Sequence, residues 1–338
     1  MSRTRRSLLR SGVGVLAASA IAGCLDTASQ ESEGVDSGYA AFFTLHEWSE
    51  AASGDLASFE DPVDVGQMGH GWEPTGNITA DIAATDAFVY LDSPEFGWAQ
   101  DVAATLEADY ESIAVIDALA GLEDQLIRGD HEHEEDNDEE THTEDSHNEE
   151  TDTEDDHDEG AFDPHVWVDP VLASEMVANI ADGLAAADPD NEATYQKNAD
   201  AYRSDLEALD EAFETMVEEA DREAAVLAGH NSFQYLEARY GFDLHTPVAI
   251  SPKAQPSQSD IADTIEFVDD NAIDVILYDR FESPNLAETI VENSNAEETR
   301  AISPAAGTTP EWNDEGWGYI DQMEQLNLPA FRDALGVE

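Results

Sequence analysis

The chain has 338 residues, 41% of them hydrophobic, and carries Lys+Arg 13 against Asp+Glu 78, a formal charge of -65. That length is enough for two lobes of ordinary domain size, each able to bury a core. The charge excludes nucleic acid and anionic membrane surfaces as partners, because both would repel it.

The acids are spread along the whole chain as well as packed into one run. Self-repulsion of this size weakens a compact state in dilute buffer, whereas a Debye length of about 3 Å at 1 M salt screens it. The distribution predicts a halophilic source, a haloarchaeon.

Residues 1–23, MSRTRRSLLRSGVGVLAASAIAG, start basic and run into a short apolar stretch from Val13 to Ala22. That stretch is far below the roughly 20 residues a membrane span requires, so it reads as an export signal. Thr4-Arg5-Arg6-Ser7-Leu8-Leu9-Arg10 resembles a twin-arginine signal, which exports folded proteins. Ile21-Ala22-Gly23-Cys24 resembles a lipobox, with Cys24 as the lipidated first residue of the mature chain. Cys24 is the only cysteine, so no intramolecular disulfide is possible; a buried or incidental cysteine is the alternative reading. Residues 24–38 lack apolar periodicity and read as a tether. The predicted location is extracytoplasmic, anchored to the outer face of the cell membrane through Cys24.

From Tyr39 onward short apolar runs alternate with helical stretches. YAAFFTL, DAFVYL and SIAVIDAL read as strands in an N-terminal lobe, residues 39–187; AAVLA, PVAI and DVILYD do so in a C-terminal lobe, residues 223–338. Helix candidates between them include Ile78 to Ala84, Leu172 to Ala186 and Ser259 to Asn271. This alternation implies an α/β fold of two (β/α) lobes with mainly parallel sheets and ligands bound beyond the carboxyl ends of the strands. Residues 188–222 predict one long rigid linking helix, opened by Asp188 as an oxygen cap and Pro189. Its apolar stripe is Tyr195, Ala199, Tyr202, Leu206, Leu209, Phe213 and Met216. A coiled-coil dimer is the competing reading of that stripe; a monomer with the helix lying along both lobes is the simpler one.

Inside the first lobe, residues 130–160 form an acid-rich run with five histidines, His131, His133, His142, His147 and His157, and no Lys or Arg. It reads as a disordered loop. Five histidines lie elsewhere, and three of them share a setting at a turn just before a helical stretch: His70 in GHGWEP, His165 in DPHVWVDP and His230 in AGHNSF. Gly69 and Gly229 suggest close backbone approach there. Neutral imidazoles suit Zn²⁺ at about 2.0–2.1 Å, and three leave one position open. His46, after the first strand, is a possible accessory group that orients a ligand or a metal-bound water. His245 reads as a surface or strand-edge residue. Trp72, Trp167 and Phe233 flank the three ligands, as an apolar shell or as ordinary core.

Four segments in order, GHGWEPTGNITADIAATDAFVYL, HVWVDPVLASEMVANIADGL, HNSFQYLEARYGFD and ISPKAQPSQSDIADTIEFVDDNAIDVILYD, resemble the zinc and manganese substrate-binding lipoproteins of ABC importers, the ZnuA-like group. The likeness runs from about Tyr39 to the C-terminus. It implies two lobes bridged by a rigid helix, metal ligation by His70, His165 and His230, and delivery of captured Zn²⁺ to an ABC permease and its ATPase, with no chemistry performed. It also implies that the His/acid run collects Zn²⁺ and passes it to the cleft; a merely solvated insertion is the alternative. Many members supply a fourth, Asp ligand in a segment matching RAISPAAGTTPE, where this chain has Ser303. A hydroxyl is a poor zinc ligand, and Asp279 or Glu282 is the fallback. Loss of the carboxylate favours Zn²⁺ over Mn²⁺. A manganese-binding member, a three-His zinc hydrolase and a surface adhesin or metal buffer are the competing functions. The absence of HExxH and of an acid–base partner beside the histidines argues against the hydrolase.

Overall fold

A computed structural model of the chain describes residues 34–128, 162–247 and 256–337. Among the described residues eight strands build two sheets: β1 Ser37–Ala40, β2 Ser58–Glu60, β3 Ala87–Tyr90 and β4 Ala114–Asp117 in the first, β5 Ala224–Leu227, β6 Asp243–His245, β7 Val275–Asp279 and β8 Glu298–Ile302 in the second. Every pairing is parallel, and the orders β2-β1-β3-β4 and β6-β5-β7-β8 are one topology used twice. Each order reverses beside its first strand, which places a crevice at the carboxyl ends of β1 and β5. The two-lobe α/β architecture is as expected from the sequence.

The central strands of the second sheet, β5 and β7, are buried on both faces. Ala225 and Leu227 of β5 and Val275 and Leu277 of β7 join the main core, while Val226, Ala228 and Ile276 turn to a smaller cluster with Val268, Ile273 and Ile290. This is the period-two alternation of a strand with helices on either side. The main core continues from Phe42, Trp48 and Phe88 of the first half to Phe233, Leu277 and Phe331 of the second, so one apolar interior serves both.

Helix Pro170–Ala187 starts where the sequence sets it: Asp169 accepts from the N–H of Val171 at 2.9 Å and of Leu172 at 3.3 Å, and Pro170 takes the first turn. The long helix runs Glu192–Glu219, and six residues of its stripe are buried within the chain itself, Tyr202 being half-buried. The stripe is therefore consumed inside this chain. The expected cap at Asp188 takes a different form. Pro189–Asn191 is a 3-10 turn, and the Asp188 carboxylate accepts from Tyr195 Oη at 2.9 Å and Asn191 Nδ2 at 2.7 Å instead of from helix N–H groups.

Other expectations change as well. YAAFFTL divides: β1 ends at Ala40 and a helix occupies Phe43–Ser53, with Leu45 and Trp48 buried. A short apolar run has no periodicity to separate strand from buried helix. PVAI lies largely outside the described residues, and the strand of that region is β6. The sequence reading did not predict β2, β6 or β8 as strands.

Candidate metal centre

Each of the three histidines is delivered by a different local device. His70 sits on the loop after β2, and backbone bonds fasten that loop to the other half: Gly66 N–H to Thr308 O at 2.8 Å and Gly69 N–H to Ala306 O at 2.9 Å. Gly69 lies so close to Phe42 that a Cβ there would stand 2.3 Å from the phenylalanine Cβ, so this position accepts only glycine. His165 opens the 3-10 turn His165–Val168 just before helix Pro170–Ala187. His230 follows β5 at the crevice of the second sheet, ahead of helix Gln234–Tyr240. Gly229 is not forced in the same way, since a Cβ there would meet nothing nearer than Glu282 Oε2 at 3.6 Å.

These devices bring the three rings together. His70, His165 and His230 each present a ligand atom within 4.8 Å of the others. Ring centroids are 5.3 Å apart for His70 and His165, 5.5 Å for His70 and His230, and 5.5 Å for His165 and His230. All three are buried, and Nε2 of both His70 and His165 is enclosed without a hydrogen-bond partner. Two enclosed, unpartnered nitrogens beside a third imidazole are what a soft, nitrogen-preferring cation would satisfy. Burial, with the neighbouring imidazoles His165 and His230, pulls His70 down to about 3. It is therefore neutral and ready to donate a lone pair at neutral pH.

The surroundings orient the rings. Asp163 Oδ1 accepts from His165 Nδ1 at 2.7 Å and from its backbone N–H at 3.0 Å. Ser232 Oγ lies 2.9 Å from His230 Nε2, and Glu282 Oε1 lies 3.5 Å from His230 Nδ1. Such partners set which nitrogen faces a metal. Sequence reading passed over Asp163 and Ser232; the signal was their place two residues from His165 and His230.

Other candidates fall elsewhere. Ser303 is fully buried, its Oγ donating to Gln322 Oε1 at 2.7 Å and accepting from Ala305 N–H at 3.0 Å, so it braces the segment before helix Pro310–Glu315 and stands outside the histidine group. Asp279 ends β7 with Oδ1 held by Phe281 N–H at 2.8 Å and Oδ2 buried without a partner; burial raises its carboxyl to about 7. His46 lies on helix Phe43–Ser53 with Nε2 on the Phe59 carbonyl at 3.1 Å, away from the group of three. His245 ends β6, stacked on Phe267 at 4.3 Å. Trp167 packs against His165 at 5.3 Å, whereas Trp72 pairs with Trp98 and Phe233 with Phe331. His131, His133, His142, His147, His157 and Cys24 lie outside the described residues. The ends of the acidic insertion are described: Arg128 and Phe162 pair as an antiparallel bridge, and Asp163 N–H donates to Ile127 O at 2.8 Å.

Residues 39–334 match the family described as zinc-uptake complex component A, periplasmic. The chain belongs to this family. Among relatives of zinc-uptake component A, the zinc-binding lipoprotein AdcA of Streptococcus pneumoniae is 31% identical over 299 residues, 88% of this chain and 55% of that protein. The high-affinity zinc uptake system protein ZnuA of Bacillus subtilis is 30% identical over 297 residues, 88% of this chain and 86% of that protein. The chain thus spans about half the length of AdcA and most of ZnuA. Two solved structures share the fold. The metal-dependent lipoprotein YcdH of B. subtilis superposes with a TM-score of 0.71 at 26% identity, covering 89% of this chain and 99% of that one. The Zn(II)-bound ZnuA-like domain of S. pneumoniae AdcA gives 0.69 at 28% identity, with the same coverage.

Proposed function

We propose that the protein captures Zn²⁺ between its two halves through His70, His165 and His230 and delivers it to an ABC permease and its ATPase. The observation that carries this reading is the convergence of three buried imidazoles whose ligand atoms lie within 4.8 Å of one another. Zinc takes four ligands in a tetrahedron and accepts imidazole readily, whereas Mn²⁺ prefers oxygen donors, so an all-nitrogen group favours zinc. The AdcA and ZnuA relatives are named for zinc binding and zinc uptake, and neither is named as an enzyme.

The same reading extends to the rest of the chain. Residues 1–23 serve as a twin-arginine lipoprotein signal, Cys24 carries the lipid, residues 24–38 tether a monomer to the outer face of the membrane, and lobes 39–187 and 223–338 flank the linking region 188–222. No helix among the described residues is long and apolar enough to cross a membrane. The run of acids and histidines at 130–160 raises the local zinc concentration, and the charge of -65 suits the protein to concentrated salt.

Metal content measured in molar salt tests the reading. One tightly held zinc per chain, lost in His165→Ala and kept when residues 130–160 are deleted, is expected. Full zinc in His165→Ala would sink it. Zinc-dependent turnover of an ester, amide or phosphate, abolished by the same substitution, would replace it with the hydrolase.

A further inference from the structure

We propose that Ser232 is a release device built into the metal centre: its hydroxyl covers His230 Nε2, the nitrogen that binds zinc, and competes with the ion for it. The inference rests on the three-histidine reading above and adds to it a residue that sets how firmly the ion is held.

The three imidazoles are not equally prepared for a cation. Nε2 of His70 and of His165 is enclosed and unpartnered, whereas Nε2 of His230 has Ser232 Oγ at 2.9 Å. The far side of each ring tells which nitrogen faces the ion. His165 turns Nδ1 to a carboxylate, Asp163 Oδ1 at 2.7 Å, and keeps Nε2 for metal. His230 is arranged alike: its Nδ1 lies 3.5 Å from Glu282 Oε1, on a side chain 36% exposed, so Nδ1 looks outward and Nε2 inward. An acidic oxygen beside Nδ1 holds the ring proton on that nitrogen and leaves the lone pair on Nε2. The Ser232 O–H donates to that lone pair, the same one a cation takes.

The turn itself does not depend on this hydroxyl. Its fastening comes from Asn231, whose Oδ1 accepts from Phe233 N–H at 3.0 Å and whose Nδ2 donates to Glu237 Oε2 at 2.6 Å. Ser232 and His230 are both buried, so bulk water does not take over either side of their contact. Zinc must break that contact, and the hydroxyl is then left enclosed without its partner, which weakens binding. As the ion departs, the hydroxyl is only two residues away and returns to the nitrogen. A carrier that surrenders its cargo benefits from such a counterweight, because it lowers the hold on the ion without removing a ligand.

Ser232→Ala, Ser232→Thr and His165→Ala, all in the full chain, are titrated with Zn²⁺ against a chelator, and zinc release is timed with the chelator in excess. A residue that merely supports the site would weaken zinc when cut back. Ser232→Ala is expected instead to tighten zinc by about 2- to 12-fold, the worth of one hydrogen bond, and to slow its release, while Ser232→Thr, which keeps the hydroxyl, stays at wild-type affinity. In the wild-type protein loaded with ¹¹³Cd²⁺ and carrying ¹⁵N-histidine, the cadmium couples to Nε2 of His230. Zinc affinity in Ser232→Ala equal to or below wild type, the same gain in Ser232→Thr, or cadmium coupled to His230 Nδ1 overturns the assignment. In each of these cases, loss of zinc in His165→Ala leaves the three-histidine reading standing, whereas full binding in His165→Ala removes both.

Discussion

Asp163 grips His165 twice, at the backbone N–H and at Nδ1, the second contact being 2.7 Å, and so leaves Nε2 as the only nitrogen of that ring able to bind a cation. The carboxylate is itself fully buried, so the pair is fixed and does not exchange with solvent. Asp163→Asn keeps the volume but removes the negative charge that makes the ring a stronger donor. Zinc affinity is expected to fall by about 10- to 100-fold, measured by chelator competition. An unchanged affinity would mean that the contact serves only packing.

The site glycines give a matched pair. Gly69→Ala drives a methyl into Phe42, and overpacking of this kind costs about 1–3 kcal/mol. It also shifts the loop that carries His70, so zinc affinity falls together with stability. Gly229→Ala meets only ordinary van der Waals contact and should preserve the fold. Urea denaturation of the two metal-free variants separates them; equal destabilisation would contradict the geometry.

The pH dependence of the metal-free protein carries the mark of His70. Its folded value of about 3 lies below the ordinary 6.5, so the unfolded chain binds a proton that the folded chain refuses. Its contribution to stability is full above pH 6.5 and drains away as pH falls toward 3. Glu47, Asp61 and Asp279, raised by burial to about 7, act with the opposite sign: they favour the folded state at acid pH and weaken it as pH climbs from their ordinary values toward 7. Comparison with His70→Asn isolates the histidine. The gap between wild type and variant should narrow from pH 7 to pH 4.5, and a constant gap would refute the assignment.

Asp169 and Arg239 tie the two halves. The guanidinium Nε reaches the carboxylate at 2.6 Å, while Asp169 also caps helix Pro170–Ala187. Arg239→Ala leaves a buried carboxylate without its cation. With the arginine 30% exposed, the loss is expected near about 2–3 kcal/mol, at the lower edge of a fully buried pair. Asp169→Asn in the same background should recover part of it, and denaturation of the double variant checks this.

What the sequence disclosed follows from where each signal is local. GHGWEP, DPHVWVDP and AGHNSF each set one imidazole on a turn of a few residues, so the candidate ligands could be read without the fold. Central strands β1, β3, β5 and β7 carry apolar runs because helices cover both faces. The strands that escaped, β2, β6 and β8, lie at sheet edges, and ETRAI of β8 is half-solvated and polar. The hydrogen-bond cluster that Ser303 closes with Gln322 and Asn327 left no local signal, because its partners are distant in sequence.

The bridge between Arg128 and Phe162 has an architectural effect on the long insertion it closes. Because the two ends meet there and Tyr235 clamps both sides, through Ile127 N–H and the Asp163 carbonyl, the described residues are tied together at that point by bonds of their own. Trading residues 129–161 for a two-residue hairpin turn should therefore leave the seat of His165 undisturbed.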